Sequence, residues 1–140
     1  MPYTLDELVQ DIKEIINNEK MPYGADKICY FVSKALMDQN FIIDNLPDRV
    51  DGELPRQILY EDKETGFCVC GHVHDNEAIG SPHDHGSSWA IYGQASGETE
   101  MTDWEIVKKN NLDDVVNVKP KKTYIMKAGD VHFYDVGHVH

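Results

Sequence analysis

The segment Ser81-Pro-His-Asp-His-Gly86 carries two histidines, His83 and His85, that are separated by a single residue. In an extended backbone, residues i and i+2 point to the same side, so both imidazole rings can face one point. Imidazole is a good ligand for Fe, Zn, Ni and Cu. The spacing therefore predicts that His83 and His85 bind one metal ion. The alternative is a pair of solvent-exposed histidines on a loop.

The segment from Phe67 to His74 offers a second set of metal-binding side chains. They alternate along the chain and are Cys68, Cys70, His72 and His74. Four such ligands are typical of zinc sites. Residues on the same face of one strand, however, lie about 6–7 Å apart. A single strand cannot surround one ion, so we expect this face to line the interior of the β-structure instead.

The composition limits the partners of this chain. Its 140 residues fit one domain, 1–140, and its net charge is −12. This charge repels phosphate backbones and anionic lipids, so we expect neither a nucleic-acid nor a membrane partner. The lysines at positions 119, 121 and 122 form a short positive cluster. A cluster of this length is typical of a solvated strand end.

The cysteines and the N-terminus indicate a cytoplasmic protein. Cys29, Cys68 and Cys70 are odd in number, and no disulfide framework follows from them. The first residues lack the basic and apolar regions of a secretory signal, and no apolar run is long enough to span a bilayer.

The secondary structure predicted around the histidines is helical in the first third of the chain and β-rich in the rest. Thr4 and Glu7 form a capping-box pattern, and apolar residues then recur at helical spacing from Leu5 to Ile16. A second helix is predicted from about Ala25 to Met37, within a helical segment covering residues 1–46. Alternating segments rich in β-forming residues follow, at 57–60, 67–74, 89–92, 98–107, 115–118, 123–126 and 131–136. Helices followed by many short strands predict a mainly β, α+β chain with a sandwich or barrel.

The histidine pair and the C-terminal segment together resemble the two motifs of the cupin superfamily. In the first motif an H-x-H pair is followed by Glu and then Gly, and the matching residues are His83, His85, Ala90 and Gly97. In the second motif the matching residues are Gly129, Asp135, Gly137 and His140, with Asp135 in place of proline. The resemblance implies a cupin double-stranded β-helix, or jelly-roll barrel, over residues 56–140, with the N-terminal helices packed outside. It also implies that His140 is the third metal ligand.

Ala90 stands where most cupins have a glutamate, which leaves three neutral histidines as the ligand set. In this respect the chain resembles the thiol dioxygenases, the group that contains cysteine dioxygenase and 3-mercaptopropionate dioxygenase. Those enzymes use Fe(II) and O₂ to add both oxygen atoms to the sulfur of a small thiol, which gives a sulfinate. The resemblance implies the same cofactor and reaction here, although Zn or Ni would also suit three imidazoles. Neutral ligands favour an anionic partner such as a thiolate.

The same resemblance implies roles for two further residues. The family binds its substrate carboxylate with an arginine or glutamine just before the first strand, and Arg56 occupies the matching place. The alternative for Arg56 is a surface arginine. His74 lies nine residues before His83, where the family has an aromatic pocket residue, so it is expected to border the substrate site. No catalytic acid or base is assigned.

Three departures from the family carry their own expectations. Ala90 also occupies the place of the cysteine that cysteine dioxygenase crosslinks to a tyrosine, so no such crosslink is expected. The family's Ser-His-Tyr relay follows the third ligand, and a cupin barrel needs further strands there. Because the sequence ends at His140, we expect a barrel that is truncated at its C-terminal end. Its open edge would permit homo-oligomers.

Other residues near the motifs have less specific roles. Asp84 and Asp135 are candidates to hydrogen-bond the ligand histidines, and His132 and His138 are expected at strand ends. Two other functions remain open at this point. One is a cupin of different chemistry, such as an isomerase or another oxygenase, and the other is a non-catalytic module that binds a metal or a small ligand.

Overall fold

The structure, a computed structural model, describes residues 2–48, 56–74, 79–109 and 116–140. Within these ranges three helices precede six strands. The helices are α1 (Leu5–Asn18), α2 (Ala25–Leu36) and α3 (Gln39–Asn45). The strands are β1 (Arg56–Glu61), β2 (Cys68–His72), β3 (Ala90–Gly93), β4 (Glu98–Lys109), β5 (Val116–Lys127) and β6 (Val131–Tyr134). The predicted mixed class, with helices before strands, is confirmed.

Helix α1 begins at the predicted capping box. The Glu7 N–H donates to Thr4 Oγ1 over 3.1 Å, which satisfies one of the free N–H groups of the first turn. The acidic side chains of Asp6 and Glu7 complement the positive end of the helix dipole. The apolar face is buried through Leu8, Val9, Ile12 and Ile15. The sequence therefore predicts both the start and the buried face of this helix.

Helix α3 lies within the segment predicted to be helical, but it was not predicted as a separate helix, because its seven residues are too few to show a helical period. It begins where the Asp38 carboxylate accepts hydrogen bonds from Asn40 N, over 3.0 Å, and from Tyr3 N, over 2.7 Å. One aromatic side chain, Phe41, anchors it in the core. Asp38 thus caps the helix and ties it to the start of the chain.

The helices share one apolar core with the segment that carries β3. The buried members are Tyr3, Leu8, Ile12, Ile15, Ile28, Ala35 and Phe41, and Trp89 and Ile91 pack against them. Helix α2 lies against both β3 and β6. The N-terminal helices therefore support the two strands that lie next to the histidine motifs in the sequence.

The strands pair as three antiparallel ribbons in the part of the chain that the structure describes. These are β1 with β2, β3 with β6, and β4 with β5. In the described ranges none of the ribbons closes into a barrel. The jelly-roll barrel remains a prediction.

Strand β5 corrects one expectation. The segments 115–118 and 123–126 were predicted as separate strands because Pro120 lies between them, but the structure has one strand from Val116 to Lys127. Pro120 pairs with Trp104 where the register shifts between Asp103 and Trp104. A proline is tolerated at such an irregularity, since the ladder hydrogen bond is already missing there. Val115 and most of the predicted polar connection at 108–114 lie outside the described residues.

The lysines at 119, 121 and 122 are exposed on β5, as expected for a solvated face. Among the helices that the structure describes, none combines the length and apolar character that crossing a bilayer requires.

Helix α2 approaches β3 closely at Gly93, and this contact yields a stability prediction. A Cβ added there would lie 2.6 Å from Leu36 Cδ1 and 3.1 Å from Val32 Cγ1. Overpacking of this kind costs about 1–3 kcal/mol, more than the ~0.4–1 kcal/mol gained by restricting the unfolded chain. We therefore expect Gly93→Ala to lower the free energy of unfolding by about 1–2 kcal/mol in urea denaturation.

Gly80→Ala provides the matched control, because a Cβ at Gly80 meets no atom within 4 Å. This variant should be as stable as the wild type or slightly more so. Equal stability of both variants would show that α2 does not pack closely against β3 at Gly93.

Candidate metal centre

Three histidines converge at one point, although His140 lies 55 residues from His85 in the sequence. The ring nitrogens of His83, His85 and His140 that could bind a metal all lie within 4.8 Å of one another. The Nε2 atoms of His85 and His140 are 3.0 Å apart. Two ligands at about 2.0–2.1 Å from one ion lie roughly 2.9–3.4 Å apart when the angle between them is about 90–109°. The spacing of these two nitrogens therefore fits adjacent ligands of a single ion.

The backbone brings His140 to His83 directly. The His83 N–H donates to the His140 carbonyl over 3.0 Å, and the His140 N–H donates to the His83 carbonyl over 2.9 Å. The preceding residue, Val139, pairs with β4: its carbonyl accepts a hydrogen bond from the Trp104 N–H over 2.9 Å. The C-terminal segment is thus held between the histidine loop and β4.

Two tight turns lie next to the histidines, one directly after His85 and one before His140. Gly86 has a φ of +63°, and its N–H donates to Asp84 Oδ1 over 3.0 Å. Gly137 has a φ of +79° in the turn where the His138 N–H donates to the Asp135 carbonyl over 3.0 Å. Both backbone conformations favour glycine, so the two glycines of the sequence motifs serve to bend the chain beside the histidines.

The three rings differ in burial. His140 is 6% exposed, and its ring stacks on Tyr134 with 4.1 Å between centroids and 13° between planes. His85 is half-buried and His83 is exposed. The cluster is therefore closed by Tyr134 on one side and accessible to solvent at His83.

The electrostatics keep the two inner histidines neutral. Burial lowers the pKa of His140 to about 4, and the neighbouring His83, His85 and His138 add to the effect. Burial also lowers the pKa of His85, again with a contribution from His83. Both rings are therefore uncharged at pH 7. Metal ligation requires the neutral form, so the site is prepared for a cation without losing protons from these two rings.

The orientation of His83 is fixed by the backbone. Its Nδ1 donates to the Ser81 carbonyl over 2.8 Å, the tautomer that leaves the Nε2 lone pair free for a metal. Asp84 and Asp135, the predicted partners of the ligand histidines, bond backbone N–H groups of Gly86 and Val136 instead. A carbonyl two residues before a histidine leaves no mark in the sequence, which is why Ser81 was missed.

A polar network that the sequence did not indicate lies beneath His140. His138 Nε2 lies 3.1 Å from Asp103 Oδ1, which also accepts a hydrogen bond from the Tyr124 hydroxyl over 3.3 Å. The Tyr124 hydroxyl in turn bonds that of Tyr134. His138 therefore helps to hold the C-terminal segment on β4 and β5 rather than joining the ligand set.

Tyr92 on β3 is the second aromatic residue at the centre. Its hydroxyl lies 3.1 Å from His85 Nε2, and its ring meets the rings of His85 and His140 edge to face. Burial raises the pKa of Tyr92, an effect that the positive charge of Arg56 partly offsets. The hydroxyl is therefore protonated at neutral pH. Tyr92 follows His85 by seven residues on a predicted strand, but no motif marks it.

The two remaining predicted residues lie on or next to the β1–β2 ribbon. Arg56 is exposed at the first position of β1, and its positive charge acts to lower the pKa of Tyr92. His74 is exposed and lies beside His72, with 5.8 Å between ring centroids. In the described ranges, the three-histidine cluster is the one group of His, Cys, Asp or Glu side chains close enough to share an ion. The four alternating ligands of the 67–74 segment do not form such a group.

Comparisons with models of protein families, with curated proteins and with solved structures give no significant match.

The convergence predicts one divalent ion per chain. Replacing His83, His85 or His140 singly with alanine should reduce bound Co(II) or Zn(II) from about one equivalent to well below half at micromolar metal, because each change removes one of three donors. Isothermal titration with the apo-protein measures both stoichiometry and affinity.

His132→Ala is the matched control, since the His132 ring packs on Tyr124, outside the cluster. It should bind the metal as the wild type does. Full metal binding by His140→Ala would remove His140 from the ligand set.

Proposed function

We propose that this chain is a metal-dependent cupin of the thiol dioxygenase type, which oxidises a small thiol to a sulfinate at a three-histidine Fe(II) site. The observation that carries the proposal is the convergence of His83, His85 and His140, two of which are 55 residues apart in sequence. In the described part of the chain no carboxylate joins the group, so the donors are neutral. This is the ligand set on which the resemblance to thiol dioxygenases rests.

A divalent ion held by three neutral imidazoles supplies uncompensated positive charge and open positions for an anionic thiolate and O₂. The residues of the chain set the conditions for this chemistry. His85 and His140 present neutral donors at pH 7, because burial lowers the pKa of each. The stacked ring of Tyr134 excludes water from the inner side of His140. Substrate can approach from the exposed side, at His83.

The arrangement of the elements supports a cupin barrel for residues 56–140. The strand after the H-x-H pair, β3, pairs with the strand that leads to His140, β6, and α2 packs against both. A barrel with its helices outside requires contacts of this kind. The three free cysteines fit the reducing, cytoplasmic compartment expected from the sequence.

Arg56 is proposed to bind the carboxylate of the substrate. Its positive charge partly offsets the rise that burial causes in the pKa of Tyr92, whose hydroxyl lies 3.1 Å from His85 Nε2. A positive charge on this side of the cluster can orient a thiol that carries a carboxylate at its other end. His74 keeps its proposed place at the border of the substrate site.

The proposal predicts thiol-dependent O₂ consumption after anaerobic loading with Fe(II). Cysteine, 3-mercaptopropionate and cysteamine would each be tested with an oxygen electrode, and mass spectrometry would follow the gain of two oxygen atoms by the thiol. His140→Ala should abolish the uptake, since the third donor is lost. Tight Fe(II) binding with no uptake for any thiol would contradict the dioxygenase and leave a binding module.

Arg56→Ala should raise the KM for thiols that carry a carboxylate and leave the KM for other thiols nearly unchanged. The KM for 3-mercaptopropionate should rise about tenfold or more, the equivalent of a charge-assisted contact of ~1.5 kcal/mol or more. The KM for cysteamine, which has no carboxylate, should change less than about twofold. Lys119→Ala, which removes an exposed charge on β5, is the control and should leave both values unchanged. Equal effects of Arg56→Ala on both thiols would exclude the carboxylate role.

A further inference from the structure

The Tyr92 hydroxyl lies among the atoms that would bind the metal. It is 3.1 Å from His85 Nε2, which is itself 3.0 Å from His140 Nε2. The ring of Tyr92 is held edge to face against both histidine rings, at 84° and 75°. It also lies 5.3 Å from the ring of Tyr134, centroid to centroid. The hydroxyl is therefore fixed at the site by contacts on several sides.

The His85 nitrogen cannot serve the hydroxyl and a metal together. A neutral imidazole has a single lone pair, in the ring plane, on its unprotonated nitrogen. When His85 Nε2 binds a metal, it has neither a proton to donate nor a free lone pair. The Tyr92 hydroxyl then loses the hydrogen bond that it makes in this structure, whichever of the two atoms is the donor. Among the described residues the hydroxyl makes no other hydrogen bond. A half-buried hydroxyl without a partner is unfavourable, so a ligand bound to the metal at this place would be a favourable acceptor for it.

We propose that the Tyr92 hydroxyl donates a hydrogen bond to a small anion bound at the open face of the three-histidine centre. The inference rests on the metal-binding part of the proposed function and adds a residue that selects the exogenous ligand. The acceptor is an anion because three neutral imidazoles leave the charge of a divalent ion uncompensated. The positive charge of Arg56, which partly offsets the effect of burial on the pKa of Tyr92, favours the same class of ligand.

Azide is a suitable probe because it is a small anion that accepts hydrogen bonds and needs no turnover. The full chain would be loaded with Co(II), and azide affinity would be followed by visible absorption in the wild type, in Tyr92→Phe and in Tyr124→Phe. Tyr92→Phe should weaken azide binding about tenfold or more, as expected for loss of a hydrogen bond to a charged group. Its Co(II) affinity should remain within about twofold of the wild type.

Tyr124→Phe is the matched control. It removes a half-buried hydroxyl that bonds Tyr134 and Asp103 but touches none of the three histidines. Its azide affinity should equal that of the wild type. Circular dichroism and melting curves of both variants would establish that they fold alike.

Two results would overturn the proposal. Unchanged azide affinity in Tyr92→Phe would show that the hydroxyl does not reach the bound anion. A phenolate-to-metal absorption band in the Fe(III)-loaded wild type, lost in Tyr92→Phe together with metal affinity, would show that Tyr92 is itself a ligand. Neither result depends on thiol oxidation, so a chain that binds azide through Tyr92 but consumes no O₂ would contradict the dioxygenase alone.

Discussion

The candidate site depends on one pair of backbone hydrogen bonds, the reciprocal bonds between His83 and His140. They place the third histidine beside the first without any contribution from the side chains. The bridge from Val139 to Trp104 extends the same attachment to the long β4–β5 ribbon. Backbone pairing fixes direction as well as distance. The rings of His83 and His140 therefore meet because these two hydrogen bonds align the two backbone segments.

The aromatic residues around the cluster then decide its electrostatic character. The ring of Tyr134 stacks on His140 and shields it from water, and the ring of Tyr92 packs edge to face against His85 and His140. Burial disfavours the charged imidazolium, so the pKa of His140 falls. His83 remains open to solvent. One set of contacts thus gives neutral donors on the inside and an accessible position on the outside.

The sequence predicted the elements better than their assembly. The start and face of α1 follow from the capping box and the helical period, and the glycines at 86 and 137 mark the turns beside the histidines. Helix α3 was not predicted separately because it is short. Strand β5 was predicted as two strands because a proline usually interrupts a strand, whereas Pro120 lies at a register shift. The H-x-H spacing identifies His83 and His85, whereas His140 came from the motif resemblance. Tyr92, Tyr134 and Asp103 reach the site through tertiary packing, which leaves no periodic pattern along the chain.

The distance in sequence between His85 and His140 has a consequence for folding. An ion shared by these two residues would crosslink the chain across 55 positions, a span that contains β3, β4, β5 and β6. The unfolded chain would have to close this long loop to hold the ion with all its ligands, so it binds the ion more weakly than the folded chain does. Because an ion that binds the folded chain more tightly than the unfolded one stabilises the fold, occupancy and folding are thermodynamically linked. If the site binds such an ion, the amount of folded protein would depend on the supply of that metal.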